Sequence, residues 1–458
     1  MSKKNVDVVI IGAGLTGLTI AFYLKKAGKN ILVLEKDNRT GGVINTENQE
    51  GFTFETGPNT GIIGSPELVE LFDDLKGKIE PQSANPNANN RWIWKNGKWC
   101  TLPSGFLTAV FTPLFSLKDK FRILGEPFRK PGENPNETVD QLVLRRMGKS
   151  YLNYAVDPFI SGIYAGDPAR LVTRYALPKL YNLEQNYGSF IKGAIQKKKE
   201  PKTEVEKRVS KEVFSVKGGL KNLMDVLTDE IGQKNILLNT SEINISPDKT
   251  GFKVNVNHKD GKAVEVNSDK TITTIDTKNL KDVLSFVSDK ELDDLTNLNY
   301  AKVVQVVAGY KNWQGKELNA FGGLVPSTEN RDCLGILFPS TLFDNRAPKD
   351  GAILSVFMGG MKRPDMIEKS DEEIKKIALK EIKITLDSDY QPDLLRVFRY
   401  EQAIPQYEET SGVRFKAIDQ LQNKYPGLIL AGNIRDGIGM ADRVKQGKQV
   451  ALQIINDK

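Results

Sequence analysis

The sequence predicts an α/β fold, on three observations. A continuous apolar run leads through a glycine-rich turn into a helix near the N-terminus. A second strand–turn–helix pattern closes the chain, and residues 281–400 alternate helical and strand patterns. At 458 residues the chain is too long for one ordinary core, so two or three domains are expected.

Residues 6–11, VDVVII, read as a strand buried on both faces. Gly12-Ala13-Gly14-Leu15-Thr16-Gly17 follows, then a helical pattern from Leu18 to Ala27, closed by Gly28. A second buried strand, ILVLE, ends on Glu35, which completes a Rossmann-like βαβ unit. Gly12 permits the tight turn, Gly14 lets the backbone approach a pyrophosphate, and Gly17 lets helix and strand pack closely. The free N–H groups and dipole of the helix start favour negative charge. Glu35 is placed for ribose hydroxyls, and its acidity argues against a 2′-phosphate. Beyond it, Lys36, Arg39, Gly41, Gly42 and Val43 offer backbone donors and a cation for phosphate.

The nucleotide-binding domain is expected to be built from discontinuous segments. Residues 215–245 carry a glycine pair, a helix and a strand ending near Ser241–Ile243. The third piece is a strand in LILAGN at 428–433, a turn at Asp436–Met440 and a helix from Ala441. The expected boundaries are 1–85, 211–280 and 412–458 for this domain, 86–210 for a helical insert and 281–411 for a mixed-sheet substrate domain. In the insert, Ser104 to Leu124 is apolar and aromatic, then basic. It reads either as a membrane-surface patch or as a core helix pair in a substrate lid. The charged run KKKEPKTEVEKR reads as a solvated loop open to acidic lipid. In the substrate domain, YAKVVQVVAGY and AILSVFMGG read as strands, and DEEIKKIALKEIKITL as an amphipathic helix.

Composition excludes much chemistry. Cys100 and Cys333 lie far apart, so neither a disulfide framework nor a cysteine metal site is expected. The single histidine, His258, lies in a hairpin around Asp260-Gly261. Zinc hydrolases, Ser-His-Asp triads and cysteine–histidine proteases are poor readings, and no metal is expected. The net charge of +7 favours acidic partners, although many lysine-rich soluble proteins share that balance. The start of the chain carries no secretory pattern, and Pro103 and Pro113 interrupt its longest uncharged stretch. A cytoplasmic protein is expected.

The Arg39–Val43 stretch, followed by Glu55-Thr56-Gly57-Pro58-Asn59-Thr60, resembles the FAD-containing amine oxidase superfamily, which includes carotene desaturases and protoporphyrinogen oxidases. That resemblance implies FAD. It places Gly57, Pro58, Asn59 and Thr60 beside the flavin ring and the backbone of Glu242 and Ile243 at the adenine. Gly432, Ile438, Gly439 and Met440 fall under the flavin's pyrimidine edge. Three further stretches are Asp157–Pro168, Phe321–Ser327 with LGILFPS following, and Ala403-Ile404-Pro405-Gln406-Tyr407. Together they resemble the protoporphyrinogen oxidase family. By that resemblance Arg91 pairs with a substrate propionate, where an arginine fork suits a carboxylate better than lysine. Phe321, Leu324 and Phe357, with Leu337 beside them, pack on tetrapyrrole rings. Gly162 lies in a turn whose carbonyl faces the ring nitrogens, and Asn59 lies between flavin and substrate. The sequence departs from the family after Tyr407, where Glu-Glu-Thr-Ser-Gly-Val replaces the usual Gly-His, and at Asp436–Met440, where Asp442-Arg443 begins the helix.

The resemblance implies oxidation of protoporphyrinogen IX to protoporphyrin IX in haem biosynthesis. Three hydride transfers would pass to FAD, with O2 as the final acceptor and hydrogen peroxide as its product. Oxidation of coproporphyrinogen III is the near alternative. A non-enzymatic module like the dissociation inhibitors of prenylated GTPases is a distant one. The expected partners are the porphyrinogen, O2, an anionic surface on the cytoplasmic face of a membrane, and a neighbouring haem-pathway enzyme. Nucleic acid is not expected, and the chain is expected to be a monomer or homodimer.

Overall fold

The computed structural model describes all residues except Met1, Asn89 and Lys458. Its first sheet has seven strands. Ser2–Ile11 is central and pairs in parallel with Ile31–Leu34 and Ala263–Thr273. Ile236–Leu237 and Leu428–Leu430 add in parallel on either side. An antiparallel meander, Thr240–Asp248, Gly251–His258 and Ala263–Thr273, completes it. Residues 8–11, Ile31–Leu34 and Leu428–Leu430 are apolar because both faces of the sheet are covered there. The helices Leu15–Lys26, Lys221–Ile231 and Met440–Asn456 bury Leu18, Met224 and Val444 against one face. Asp289–Thr296 and Ser411–Lys424 bury Leu292, Leu295 and Ile418 against the other. This is the doubly wound α/β arrangement the sequence predicts, drawn from three separate stretches of chain.

Three expected details change. The helix Asp289–Thr296, expected within the substrate domain 281–411, covers the first sheet instead, because Leu292 and Leu295 bury against Val9 and Leu32. The strand expected to end near Ser241–Ile243 runs on to Asp248. Glu242, at φ +49°, forms a bulge there, and the register slips between Ser241 and Asn244. Residues 91–101, assigned by the sequence to the helical insert, form the strands Arg91–Lys95 and Lys98–Thr101. They belong to the second sheet, where Arg91–Lys95 pairs in parallel with Gly322–Leu324.

That second sheet also has seven strands, ordered Leu394–Pro405, Tyr300–Tyr310, Ala352–Gly359, Gly335–Leu337, Gly322–Leu324, Arg91–Lys95 and Lys98–Thr101. Alternation sends Trp92, Ile336, Val356 and Val306 to one face, where Ile374, Ala378 and Ile382 of the helix Asp371–Leu386 cover them. Each such fully buried aliphatic side chain contributes roughly 1.5–3 kcal/mol. The opposite face looks toward the nucleotide-binding domain.

The helical insert follows. Phe106–Phe111 and Leu117–Leu124 lie on its outside, and a bent helical run crosses from Lys149 to Tyr164 with a π-helical stretch at Leu152–Val156. Its core joins Leu114, Phe115, Val143 and Tyr151, with Phe115 and Tyr151 stacked at 3.9 Å between ring centroids.

Candidate active site

The nucleotide end of the site is a set of close backbone approaches. Gly12 adopts φ +102°, and a β-carbon on Gly17 would lie 2.0 Å from Gly12 O, so both positions demand glycine. Around Gly14 there is open space, with no atom within 4 Å of where its side chain would begin. Gly14 caps the helix Leu15–Lys26 without a side chain, and the first turn carries no acid. The amides of that turn therefore have no internal acceptor, and the positive end of the dipole faces an open cradle. A pyrophosphate fits there. Ala13 N donates to Glu35 Oε2 (2.7 Å) and Asp37 N to Oε1 (3.0 Å), which fixes the Glu35 carboxylate beside the loop. Leu15 and Thr16 are buried in the helix start, and Lys36 is exposed just past Glu35.

The next loop folds onto this one. Gly41 N donates to Ala13 O (2.8 Å), and a β-carbon on Gly42 would come within 3.2 Å of Gly14 Cα. Arg39 donates to the carbonyls of Thr40 (3.0 Å), Gly42 (2.7 Å) and Ile44 (3.2 Å). It braces the loop, where the sequence alone suggested a phosphate contact. Val43 is exposed at the loop tip, although it is apolar. A β-carbon on Gly57 would lie 2.0 Å from Val43 O, so the turn Gly57-Pro58-Asn59-Thr60 packs directly on the loop.

The other two segments arrive at the same place. Thr240 N donates to Glu35 O (2.9 Å) and Asn239 N to Asp37 O (2.9 Å), which sets the bulge at Glu242 and Ile243 beside Glu35. Thr274 Oγ1 donates to the carbonyls of Ile11 and Gly12 (3.1 Å each). Thr274 O lies 2.7 Å from where a β-carbon on Gly432 would stand. Gly439 caps the C-terminal helix, its N–H donating to Asp442 Oδ2 (3.0 Å), and Met440 is buried beneath it. Ile438 packs in one apolar cluster with Tyr164, Leu324 and Tyr407.

The substrate end is the free face of the second sheet. Leu324 opposes Gly335, which opposes Phe357, which opposes Gln305. Two residues along, Arg91, Gly322, Leu337 and Ser355 form the next row. Leu324, Leu337, Phe357 and Arg91 therefore share a face. Phe321 stands one residue before its strand and packs apart, against Ala88, Val213 and Phe343. The Arg91 guanidinium lies 5.6 Å over the Phe321 ring, which rejoins it to the group. Gly162 is not in a turn. It lies in the last turn of the helix Asp157–Tyr164, and a β-carbon there would strike Leu324 at 2.5 Å. The carbonyls of a last helical turn have no intrahelical partner, so the Gly162 carbonyl keeps its capacity to accept.

A buried polar chain joins the two ends. Ser355 Oγ donates to Asn59 Oδ1 (3.0 Å), and Asn59 Nδ2 donates to Gly57 O (3.0 Å). Gln305 Nε2 donates to Glu55 O (3.0 Å) and Ser355 Oγ (3.3 Å), and the Tyr400 hydroxyl donates to Thr56 O. Burial pushes the Tyr400 phenol up, so it stays a neutral donor. Beside this chain the buried Glu55 carboxylate accepts from Arg346 Nη1 (2.8 Å) and Leu220 N (3.1 Å). Sequence reasoning missed Gln305, Ser355 and Arg346. For the first two a signal existed, since a lone polar residue inside an apolar strand must find a partner when buried.

Comparison with known proteins agrees with this geometry. Residues 15–455 match the family described as flavin containing amine oxidoreductase. Protoporphyrinogen oxidase 2 of Arabidopsis thaliana is 29% identical, over 98% of this chain and 94% of its own. Coproporphyrinogen III oxidase of Bacillus subtilis is 24% identical, over 98% and 97%. A solved structure of a candidate protoporphyrinogen oxidase from Exiguobacterium superposes with a TM-score of 0.80 at 22% identity, covering 100% of both chains. The chain belongs to the flavin containing amine oxidoreductase family, and it is an FAD-dependent oxidase.

Proposed function

We propose that the chain oxidises protoporphyrinogen IX to protoporphyrin IX, with O2 as the final electron acceptor. The observation that carries this reading is the sheet face on which Leu324, Leu337 and Phe357 form an apolar wall with Arg91 at its end. A porphyrinogen is broad, apolar and carboxylate-bearing, and calls for such a wall with few placed charges. When bound, FAD supplies hydride acceptance from the substrate and electron transfer to oxygen, three times per porphyrin formed.

The chain's own residues orient and exclude water. Arg91 holds a propionate and sets the rotation of the macrocycle. Leu324 and Phe357 press on its rings from the sheet side. The Gly162 carbonyl, at a helix C-terminus, accepts from the pyrrole N–H groups as they lose protons to solvent. Asn59, fixed from behind by Ser355, keeps the turn between cofactor and substrate rigid. No side chain is assigned as a general base.

Protoporphyrinogen is preferred over coproporphyrinogen because the latter carries two more propionates, which require more cations than this face offers. Steady-state assay with both substrates tests the choice, and faster turnover of coproporphyrinogen overturns it.

Peripheral membrane attachment belongs to the same reading. Phe111 (80% exposed), Phe121 (72%) and Phe128 (85%) stand out from the insert, with Leu107, Leu117 and Leu124. These side chains are not packed as a core helix pair. Lys118 is exposed among them, which suits an anionic headgroup layer. Among the described residues no helix is long and apolar enough to cross a membrane. Flotation with anionic liposomes is the expected result, and absence from the floating fraction at low salt overturns attachment.

A further inference from the structure

The segment 434–436 that leads into the turn Asp436–Met440 is held by two buried arginines. Arg414, fully buried on the helix Ser411–Lys424, donates Nε to Ile434 O (3.0 Å) and Nη2 to Ser411 Oγ (3.1 Å). Arg443, 8% exposed on the first turn of the C-terminal helix, donates Nη2 to the carbonyls of Arg435 (2.8 Å) and Asp436 (2.9 Å). Its Nη1 reaches Gln446 Oε1 (3.0 Å). Arg414 Nη1 and Arg443 Nε are buried without an acceptor among the described residues. Between them the Tyr407 hydroxyl donates to Gly437 O (3.1 Å) and accepts from Gly437 N (3.0 Å).

Neither guanidinium pairs with a carboxylate among the described residues. The three nearby acids face other donors. Glu408 takes Arg170 (2.8 Å) and Asn299 (2.7 Å), Asp436 takes Arg435 (3.2 Å) and Gln446 (2.8 Å), and Asp442 takes Gly439 N (3.0 Å). Burial pushes both arginine pKa values down, which marks the cost of holding these charges away from water. An apolar residue of similar volume would avoid that cost. The carbonyls the arginines cap, with Glu408, Asp436 and Asp442 at longer range, offset part of that cost, and a ligand that gains from positive charge at this turn would offset more. The backbone is arranged to match. Gly437 O is drawn toward Tyr407, so the N–H of Ile438, trans to it across the peptide, points the other way. That amide donates to nothing among the described residues.

We propose that Arg443, backed by Arg414, is a positioning residue that makes this site bind reduced flavin more tightly than oxidised flavin. The inference rests on the reading that sets the flavin's pyrimidine edge over residues 436–440. The reduced ring carries more negative charge there, and fixed cations behind the turn favour it. The midpoint potential of the bound cofactor is raised accordingly.

Dye-coupled reductive titration of the flavin-loaded chain tests this, with free FAD, R443K and R443Q alongside. The wild-type potential is expected above that of free FAD. R443Q is expected to lower the ratio of reduced to oxidised binding at least tenfold, about 30 mV for a two-electron couple. R443K keeps the charge and is expected to stay near wild type. A flavin-loaded R443Q with unmoved potential overturns the proposal, as does R443K falling as far as R443Q. If R443Q loses its flavin, the wild-type comparison still decides, and a potential at or below free FAD overturns it. A wild-type chain that takes up no FAD overturns the family reading, and the proposal with it.

Discussion

Gly14 and Gly17 lie in one turn, yet the structure assigns them different constraints. A β-carbon on Gly17 collides with the Gly12 carbonyl, whereas one on Gly14 meets only open space. Gly14→Ala is therefore expected to leave the ligand-free fold within about 0.5 kcal/mol of wild type. The same change is expected to weaken FAD binding at least tenfold, because the methyl group fills the pyrophosphate cradle. Gly17→Ala is expected to lose stability and flavin together. Thermal melts with and without FAD separate the two, and a Gly14→Ala chain that loads flavin normally removes the pyrophosphate from this turn. Arg91 is tested by kinetics. Losing a hydrogen bond to a charged group costs about 1.5–3 kcal/mol, so Arg91→Ala is expected to lower kcat/KM roughly 10- to 100-fold, chiefly through KM. An unchanged KM would remove the propionate role. At this scale the glycines were legible because backbone conformation dictates residue type. Arg39 was not, because its carbonyl partners form only when the loop folds back.

Elements were legible where periodicity was local. Tyr300–Tyr310 has the bounds its apolar run predicts, and Asp371–Leu386 those of its amphipathic pattern. The strands Arg91–Lys95 and Lys98–Thr101 were hidden because they are short and their partner Gly322–Leu324 is far along the chain. The insert's interior was hidden for the same reason. Arg146 is fully buried and pairs with Glu126 (2.8 Å) and with Glu184, which Arg145 also takes (2.9 Å). From the sequence these are ordinary charges on amphipathic helices. Removing one partner of a buried pair leaves an uncompensated charge, so Arg146→Met is expected to cost about 3–5 kcal/mol. That cost should fall within the insert. Hydrogen exchange is expected to quicken across residues 104–208 while the flavin spectrum stays unchanged. Uniform protection would show that the network holds nothing together. The insert's outer face gives a separate test, since Phe121→Asp is expected to reduce liposome flotation without changing the melting temperature.

At the scale of the whole molecule, the site exists only when distant segments meet. Gly12 reaches Thr274, Thr274 stands against Gly432, and Gly447 lets the C-terminal helix approach Thr16 and Thr19 of the first helix. The buried Arg346–Glu55 pair then ties the nucleotide-binding domain to the loop between the substrate sheet's strands Gly335–Leu337 and Ala352–Gly359. The glycine-rich turns made this assembly legible in outline, because each marks a strand-to-helix junction that needs a ligand or a neighbour. Its energetics follow from linkage. A ligand that binds only the assembled state stabilises it by about 2.7 kcal/mol at one hundred times its dissociation constant, and by about 4.1 kcal/mol at one thousand times. The melting temperature is therefore expected to climb steadily with the logarithm of added FAD and to fall when flavin is stripped. The uncapped helix start and the bulge at Glu242 lie at the nucleotide end, so ADP alone should produce part of that rise. Riboflavin, lacking the pyrophosphate, should produce less. Gly14→Ala should abolish the ADP effect, since the helix terminus is where the phosphates dock. If riboflavin stabilised the chain as well as FAD does, the binding energy would lie at the flavin ring, and the nucleotide cradle would not be what joins the segments.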